Sequence, residues 1–309
     1  MSETIELRQL VDILLKGKVV IASTTIAFML VAGILSWFVI NEKYESSAVI
    51  QVVGITANDS NVMASYLSAE FMPNTYVERV KNQELMEQAF QQAGIKAEFD
   101  LRNLTTIVDN DPLNNYVQLS YKARTAAEAQ QQMQILVMTT KDKMSKVVRQ
   151  HYMTIEQSYE EQVQTLSKEV EATIEVYNQT VQANDLPKVL IMQTVLNSEI
   201  ALQISDEQTE AFASIDGQLQ NQLLQLQTQI QTKSAEYRKA LANFQEIQLG
   251  LENFSIDSHV RTVTEPTLEK KPISPNKAIN IAIAAILGLM VSVGAVFFRY
   301  YWKNSSPMK

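Results

Sequence analysis

Residues 19–40 read VVIASTTIAFMLVAGILSWFVI, 22 positions without a charge. Residues 278–298 read AINIAIAAILGLMVSVGAVFF, 21 more of the same kind. About 20 apolar residues carry a helix across the hydrocarbon core of a bilayer. A core helix of a soluble domain rarely stays uncharged on every face for so long. Two such segments, one near each end, predict a two-pass membrane protein with residues 41–277 as the region between the spans. Eighteen residues precede the first span, and no small-residue cleavage site follows it cleanly. It therefore reads as an uncleaved anchor and not as a signal peptide.

Working outward from the spans, charge sets the orientation. Residues 1–18 carry Arg8, Lys16 and Lys18 against Glu3, Glu6 and Asp12. Residues 299–309 carry Arg299, Lys303 and Lys309 and no acid. Basic residues beside span ends favour the cytoplasm, and long domains are translocated whatever their charge. Both termini are therefore expected in the cytoplasm with 41–277 exported, although Lys270, Lys271 and Lys277 lie on the other side of the second span. The region between the spans holds 20 basic and 31 acidic residues. That balance disfavours a nucleic-acid partner, which needs a basic face, and disfavours holding an acidic polymer by charge alone. With no cysteine, neither a disulfide nor a thiolate metal site is available. Stability must come from packing, oligomerisation or both.

Leu7, Leu10, Val11, Leu14 and Leu15 recur at helical spacing and form an amphipathic lead into the first span. Tyr44–Gly54 (YESSAVIQVVG) is β-branched and turn-bounded, a strand. Thr75-Tyr76-Val77-Glu78 has the form of a capping box and opens a helix that Gly94 ends. Thr105–Val108 and Tyr116–Tyr121 read as strands joined through Asn110-Asp111-Pro112, and Val260–Thr264 as a last strand. The first and last strands each lead directly into the membrane. Pairing them in one sheet would hold the two spans together.

The middle of the chain has another period. Thr125-Ala126-Ala127-Glu128 is a second capping box, and no Pro or Gly follows it until Pro187. Ile155, Tyr159, Val163, Leu166, Val170, Ile174, Tyr177 and Val181 recur in steps of four and three. The same steps recur at Ile215, Leu219, Leu223, Leu226, Ile230, Ser234, Tyr237 and Leu241. This eleven-residue repeat, about 3.67 residues per turn, predicts straight or slightly right-handed packing. Two matching stripes on either side of Asn184-Asp185-Leu186-Pro187 predict a long antiparallel hairpin. A leg from Thr125 to Val181 would reach roughly 85 Å. Ser205-Asp206-Glu207-Gln208, again of capping-box form, interrupts the returning leg. Gln218–Gln231 alternates Gln with other residues, but Gln and Leu favour helix over strand. The hairpin stripe together with Val189, Leu190, Ile191, Met192, Val195 and Leu196 exceeds what a two-helix hairpin covers, and predicts a subunit interface, the alternative being that the cluster folds back into its own bundle.

No catalytic site is visible, and the chain is expected to be neither an enzyme nor a cofactor or metal binder. None of its eight glycines forms a phosphate-cradling loop. His151 and His259 are far apart in sequence and read as ordinary structural residues. Glu160, Glu161, Glu169, Glu171 and Glu175 read as a solvated helix face.

The informative motif is the approach to the second span. Pro266, Pro272 and Pro275 punctuate residues 265–277 (EPTLEKKPISPNK). Proline cannot donate to a ladder, so the strand ends near Pro266, and the spaced prolines make a stiff connector. Ser274 is the expected cap, with Pro275 in the first helical turn beside Lys277. Within the span, Ala284, Gly288 and Ser292 lie four apart, as do Ala32 and Ser36 in the first. Small residues at that spacing allow close helix contact in lipid. Tyr300, Tyr301 and Trp302 form an interfacial aromatic belt.

The expected organisation is an α+β membrane protein in seven parts. These are a cytoplasmic amphipathic segment at 1–18, a span at 19–40, the first part of an α/β base at 41–124, and a long protruding helical hairpin at 125–255. A base strand with the Pro-rich connector at 256–277, a span at 278–298 and a cytoplasmic tail at 299–309 complete it.

Taken together, IELRQLVDILLKGK, YESSAVIQV, the helical insertion and the exit EPTLEKKPISPNKA resemble the chain-length determinant family, the Wzz-type polysaccharide co-polymerases. The family often shows a Gly-x-x-x-Gly pair in the second span. Here Ser292 follows Gly288, and Gly294 is out of register. The resemblance implies an inner-membrane protein that sets the length distribution of a surface polysaccharide such as O-antigen, capsule or exopolysaccharide. It also implies a ring-like homo-oligomer that works with a separate polymerase on lipid-linked polysaccharide. A related branch pairs this module with a cytoplasmic tyrosine kinase, so an adaptor that activates a separate kinase is the alternative. A two-span sensor is the third reading, against which the short tail counts.

Overall fold

The computed structural model describes residues 7–54, 62–109, 115–192 and 206–304. In chain order its helices are α1 (Leu7–Lys16), α2 (Lys18–Ile34), α3 (Ala64–Glu70), α4 (Pro73–Val80), α5 (Gln83–Gln92) and α6 (Ala126–Ala183). There follow α7 (Asp206–Ala213), α8 (Gly217–Asn253), the single turn α9 (Ile256–His259) and α10 (Lys277–Asn304). The strands are β1 (Tyr44–Val52), β2 (Leu104–Val108), β3 (Tyr116–Ala123) and β4 (Val260–Thr264). They form one sheet of order β2-β3-β1-β4. The chain makes two compact units, one from residues 1–51, 77–139 and 262–309, the other from 52–76 and 140–261.

The first unit contains both apolar helices. Lys18–Val39 and Lys277–Lys303 are long and apolar enough to cross a membrane. Only 6% and 11% of their most hydrophobic windows are buried, which is not how the core helix of a soluble domain behaves. The last turn of the first, Leu35–Val39, widens to a π-turn in which Ile40 N donates to Leu35 O at 2.9 Å.

β1 alternates as a half-buried strand must: Ser46, Ala48, Ile50 and Val52 are buried and the residues between them are not. It pairs antiparallel with β3 from Tyr44↔Ala123 to Gln51↔Tyr116, and β3 pairs antiparallel with β2. Beyond β4 the chain keeps to the other side of β1. Thr267 N donates to Ser47 O at 3.0 Å, Ile273 N to Lys43 O at 2.8 Å, and Lys43 N to Ser274 O at 2.9 Å. Val80, Met86, Phe90 and Phe99 are buried, and the two phenylalanines pack on Tyr121 of β3. Phe90 meets Phe99 edge-on at 5.8 Å, and Phe99 stacks on Tyr121 at 5.9 Å, the offset geometries that aromatic quadrupoles favour.

One expectation is corrected here. The box at Thr75 does not open a single helix to Gly94. Pro73 takes the first position of α4, so Thr75 lies inside it and its hydroxyl donates to Ala69 O at 3.0 Å. Asn82 then adopts extended backbone and its side chain caps α5 by accepting from Leu85 N at 2.9 Å. An Asn side chain bonding its own backbone competes with helix continuation. Gly94, at φ +72°, does end α5, with Ile95 N donating to Phe90 O at 2.9 Å, the six-to-one bond of a Schellman end.

The second unit contains most of the helical hairpin. Thr125 Oγ1 accepts from Glu128 N at 3.2 Å to cap α6, whose 58 residues span about 87 Å. The stripe of α6 is half-buried at Ile155, Tyr159, Val163 and Leu166 and buried at Val170, Ile174, Tyr177 and Val181. Leu223, Ile230, Ser234 and Tyr237 of α8 are buried likewise. The Gln-rich segment 218–231 is helical throughout. The returning leg is broken between α7 and α8, where Asp216 caps by accepting from Gln218 N at 3.3 Å.

Opposed pairs define the register. A Cβ added to Gly250 would lie 2.8 Å from the Tyr152 ring, and Glu169 forms an ion pair with Lys233. Between these two contacts the chain advances seventeen residues on α6 and retreats seventeen on α8, so the legs are antiparallel without slip. Arg149 Nη2 donates to Phe254 O at 2.9 Å, and Lys141 Nζ lies 2.6 Å from Asp257. Tyr66 stacks on His151 at 3.7 Å. His259 stacks on Phe71 at 4.3 Å, and burial there lowers its pKa.

For the apolar run after the hairpin tip, the described residues follow the second of the two expectations, a return onto its own chain. Leu190 is buried in a cluster with Val170, Ile174, Tyr177, Val181, Leu223 and Ile230, and Ile191 and Met192 pack against it. Asn178 locks this return, its side chain exchanging two 2.8 Å bonds with the Met192 backbone. Leu190, Ile191 and Met192 are therefore covered by their own chain, while Val189 stays exposed. Val195, Leu196, Ser205 and the Asn110-Asp111-Pro112 turn lie outside the described residues.

Candidate functional site: the paired spans and the strands that leave them

α2 and α10 pack against each other. On α10, Ala284, Gly288, Ser292 and Val296 are buried at intervals of four, while the intervening positions are exposed or half-buried. At Gly288 an added Cβ would lie 3.0 Å from Thr25 Cα and 3.0 Å from Phe28 Cβ. At Gly17 it would lie 2.6 Å from a Val296 methyl. Gly294 faces open space. Without a hydrophobic drive between helices in lipid, close approach of this kind supplies the dispersion contact that holds them. Val296 and Gly17 were not singled out from the sequence, although Val296 continues the same four-residue row.

Polar contacts close the end of this interface nearest the sheet. Ser36, 2% exposed, accepts from Asn280 Nδ2 at 2.9 Å. Lys277 Nζ donates to Glu42 Oε1 at 3.1 Å and stands 5.4 Å over the Trp37 ring. Tyr44 Oη donates to Glu42 Oε2 at 3.1 Å. The Lys277 and Tyr44 hydrogen bonds hold the Glu42 carboxyl below its usual range. The pair is solvent-accessible, so it positions the helix start more than it stabilises the fold.

The motif residues of the exit fall at distinct places. Pro266 is buried and its carbonyl accepts from Gln130 Nε2 at 3.0 Å, while Pro272 is exposed. Ser274 pairs with Lys43 through its backbone and does not cap the helix. Asn276, immediately before α10, caps it by accepting from Ile279 N at 3.2 Å. Ser274 is two residues too early, its backbone is committed to the bridge with Lys43, and Pro275 also precedes α10 instead of lying in its first turn. At the far end Tyr300, Tyr301 and Trp302 are exposed, with Phe298 and Trp302 6.0 Å apart. The arrangement fixes the spacing of two helices and ties both to one sheet. Among the described residues it assembles no nucleophile with a base and no metal-binding cluster.

Residues 3–93 match the family model described as chain length determinant protein (Wzz). Residues 218–301 match one described as "G-rich domain on putative tyrosine kinase". Among curated proteins, the chain is 34% identical over 80 residues to the tyrosine-protein kinase etk of Escherichia coli, which is 26% of this chain. The match spans only 11% of the kinase's length. Among solved structures, a full-length bacterial polysaccharide co-polymerase is similar at 20% identity and TM-score 0.48, over 99% of this chain and 100% of that one. A Wzz dodecamer is similar at 16% identity and TM-score 0.26, over 75% of this chain and 99% of that one.

Proposed function

We propose that this chain, whose residues 3–93 match the chain length determinant (Wzz) model, sets the length distribution of a surface polysaccharide. It does so without catalysing a reaction itself, as a homo-oligomer working with a separate polymerase on lipid-linked polysaccharide. The observation that carries this reading is the match over residues 3–93. That stretch holds the first span and β1, the strand against which the connector from β4 runs down to the second span. The Wzz dodecamer among similar structures is the precedent for the oligomer. The test is a deletion strain profiled for polysaccharide length. Loss of the modal length, restored by the full chain, is the expected result. An unchanged profile would sink the reading.

The topology that goes with this function places both termini in the cytoplasm and residues 41–277 outside the inner membrane, from the basic residues flanking the spans. A periplasm-dependent reporter is expected to be active when fused at Asn58 and inactive at Lys309. Activity at Lys309 would reverse the orientation.

A second reading is an adaptor for a separate tyrosine kinase, favoured by the matches to the kinase-associated domain and to etk. Replacing Tyr300 and Tyr301 by Phe separates the two. An interfacial anchor needs the ring more than the hydroxyl, so we expect polymer amount and length to change less than about twofold. Loss of polymer on this substitution would favour the adaptor.

A further inference from the structure

A polar cavity of about 610 Å3 opens beside the point where the first span ends. Asn41, Glu42, Tyr44, Arg124, Thr125 and Lys270 line it. The span ends at Val39, so Asn41 and Glu42 lie within about 10 Å of its end by chain length. The polar zone of a bilayer is about 5–8 Å thick on each side, which puts the cavity at the level of lipid phosphates.

Its two unengaged cations are held in place by the sheet. Ala123 pairs with Tyr44, so Arg124 sits one residue beyond the ladder at its membrane end. Lys270 lies between Thr267, bonded to Ser47 of β1, and Ile273, bonded to Lys43 just before it. Glu42 is the acid lining the cavity, and both its oxygens are already taken, by Lys277 and by Tyr44. Among the described residues neither Arg124 nor Lys270 makes an ion pair, and both are exposed. The cavity therefore presents two cations that Glu42 does not neutralise, one of them a guanidinium suited to bidentate contact with a phosphate.

We infer that this cavity holds the phosphate headgroup of an anionic membrane lipid, with Arg124 and Lys270 as its cations. The lipid's acyl chains lie along the exposed apolar surface of the first span, which a free phosphate cannot use. Asn41 and Tyr44 offer polar contacts to the rest of the headgroup. The inference does not depend on the length-control reading.

The test uses the full chain in mild detergent, titrated with phosphatidylglycerol, with phosphatidylcholine of the same acyl chains, or with inorganic phosphate, and read by native mass spectrometry. Phosphatidylglycerol is expected to be retained at least fivefold over the other two. Arg124→Gln with Lys270→Gln brings retention down to the phosphatidylcholine level, and Arg124→Lys keeps most of it. Lys146→Gln, which alters a cation paired with Asp142 on α6, leaves it unchanged. Both cavity substitutions are at exposed positions, and unchanged circular dichroism of the double variant checks its fold. Equal retention of the two lipids overturns the inference, as does undiminished retention by the double variant. Inorganic phosphate bound as well as phosphatidylglycerol overturns the lipid as its source.

Discussion

Removing Val163–Thr173 together with Gln229–Lys239 is expected to leave a folded, membrane-inserted protein that gives an altered polysaccharide length distribution. The register makes these two segments face each other, and they contain both members of the Glu169–Lys233 pair. Eleven residues are close to three whole turns, so each stripe closes up in phase. Ile174 takes the place of Val163, and Leu241 that of Ile230. Each leg loses about 16 Å. Removing only five residues from each leg, Val163–Ser167 with Ala235–Lys239, rotates what lies beyond by about 140° out of phase. That turns Val170, Ile174 and Tyr177 away from α8, and exposing several such side chains costs about 1.5–3 kcal/mol each. The five-residue variant should therefore fall sharply in membrane level, while the eleven-residue variant keeps its level and shifts the distribution. Immunoblots of membranes and polysaccharide gels read both outcomes. A silent eleven-residue deletion would remove the hairpin from the mechanism.

Gly288→Leu is the second substitution with a large expected effect. Its Cβ would meet the Thr25 backbone and the Cβ of Phe28 at 3.0 Å, atoms that no rotamer change can move. The remaining three carbons of Leu force α2 and α10 apart, an overpacking that costs about 1–3 kcal/mol. At Gly294 an added Cβ meets nothing within 4 Å, so Gly294→Leu serves as the matched control. The chain has no cysteine, so a cross-link between Gly17→Cys and Val296→Cys reports the helix spacing without background. A Cβ at position 17 would lie 3.2 Å from Val296 Cβ, close to disulfide range. Oxidation should link the pair in the parent chain and with Gly294→Leu, and several-fold less with Gly288→Leu. Equal cross-linking in all three would mean that Gly288 does not set the spacing.

Much of this architecture is written locally in the chain. The two uncharged runs, the alternating burial of β1 and the capping of α6 by Thr125 need only neighbouring residues to be recognised. The small residues at 284, 288 and 292 are visible because a helix repeats nearly every four positions. Other features are invisible at that range. The break at Asn82 depends on a competition between its side chain and the helix, which the capping-box pattern at Thr75 obscured. Asn276 and not Ser274 caps α10, because Ser274 is already used across the strand by Lys43. The apolar residues after the hairpin tip looked surplus until Asn178 turned them back onto the stripe.

What the sequence alone determined is periodicity: where helices and strands form, which face of each is apolar, and that an eleven-residue stripe runs along both legs. It could not determine register. A stripe repeating every eleven residues is satisfied equally well by a slip of eleven, and only the approach of Gly250 to Tyr152 and the Glu169–Lys233 pair select one alignment. Tertiary structure likewise decided what Gly288 faces, and it brought Arg124 and Lys270 to one cavity from positions far apart in the chain. Periodicity is a property of neighbours along the backbone. Register and charge convergence arise only when distant segments are packed at fixed distances, where a single methyl group or one ion pair discriminates between alignments that are otherwise equivalent.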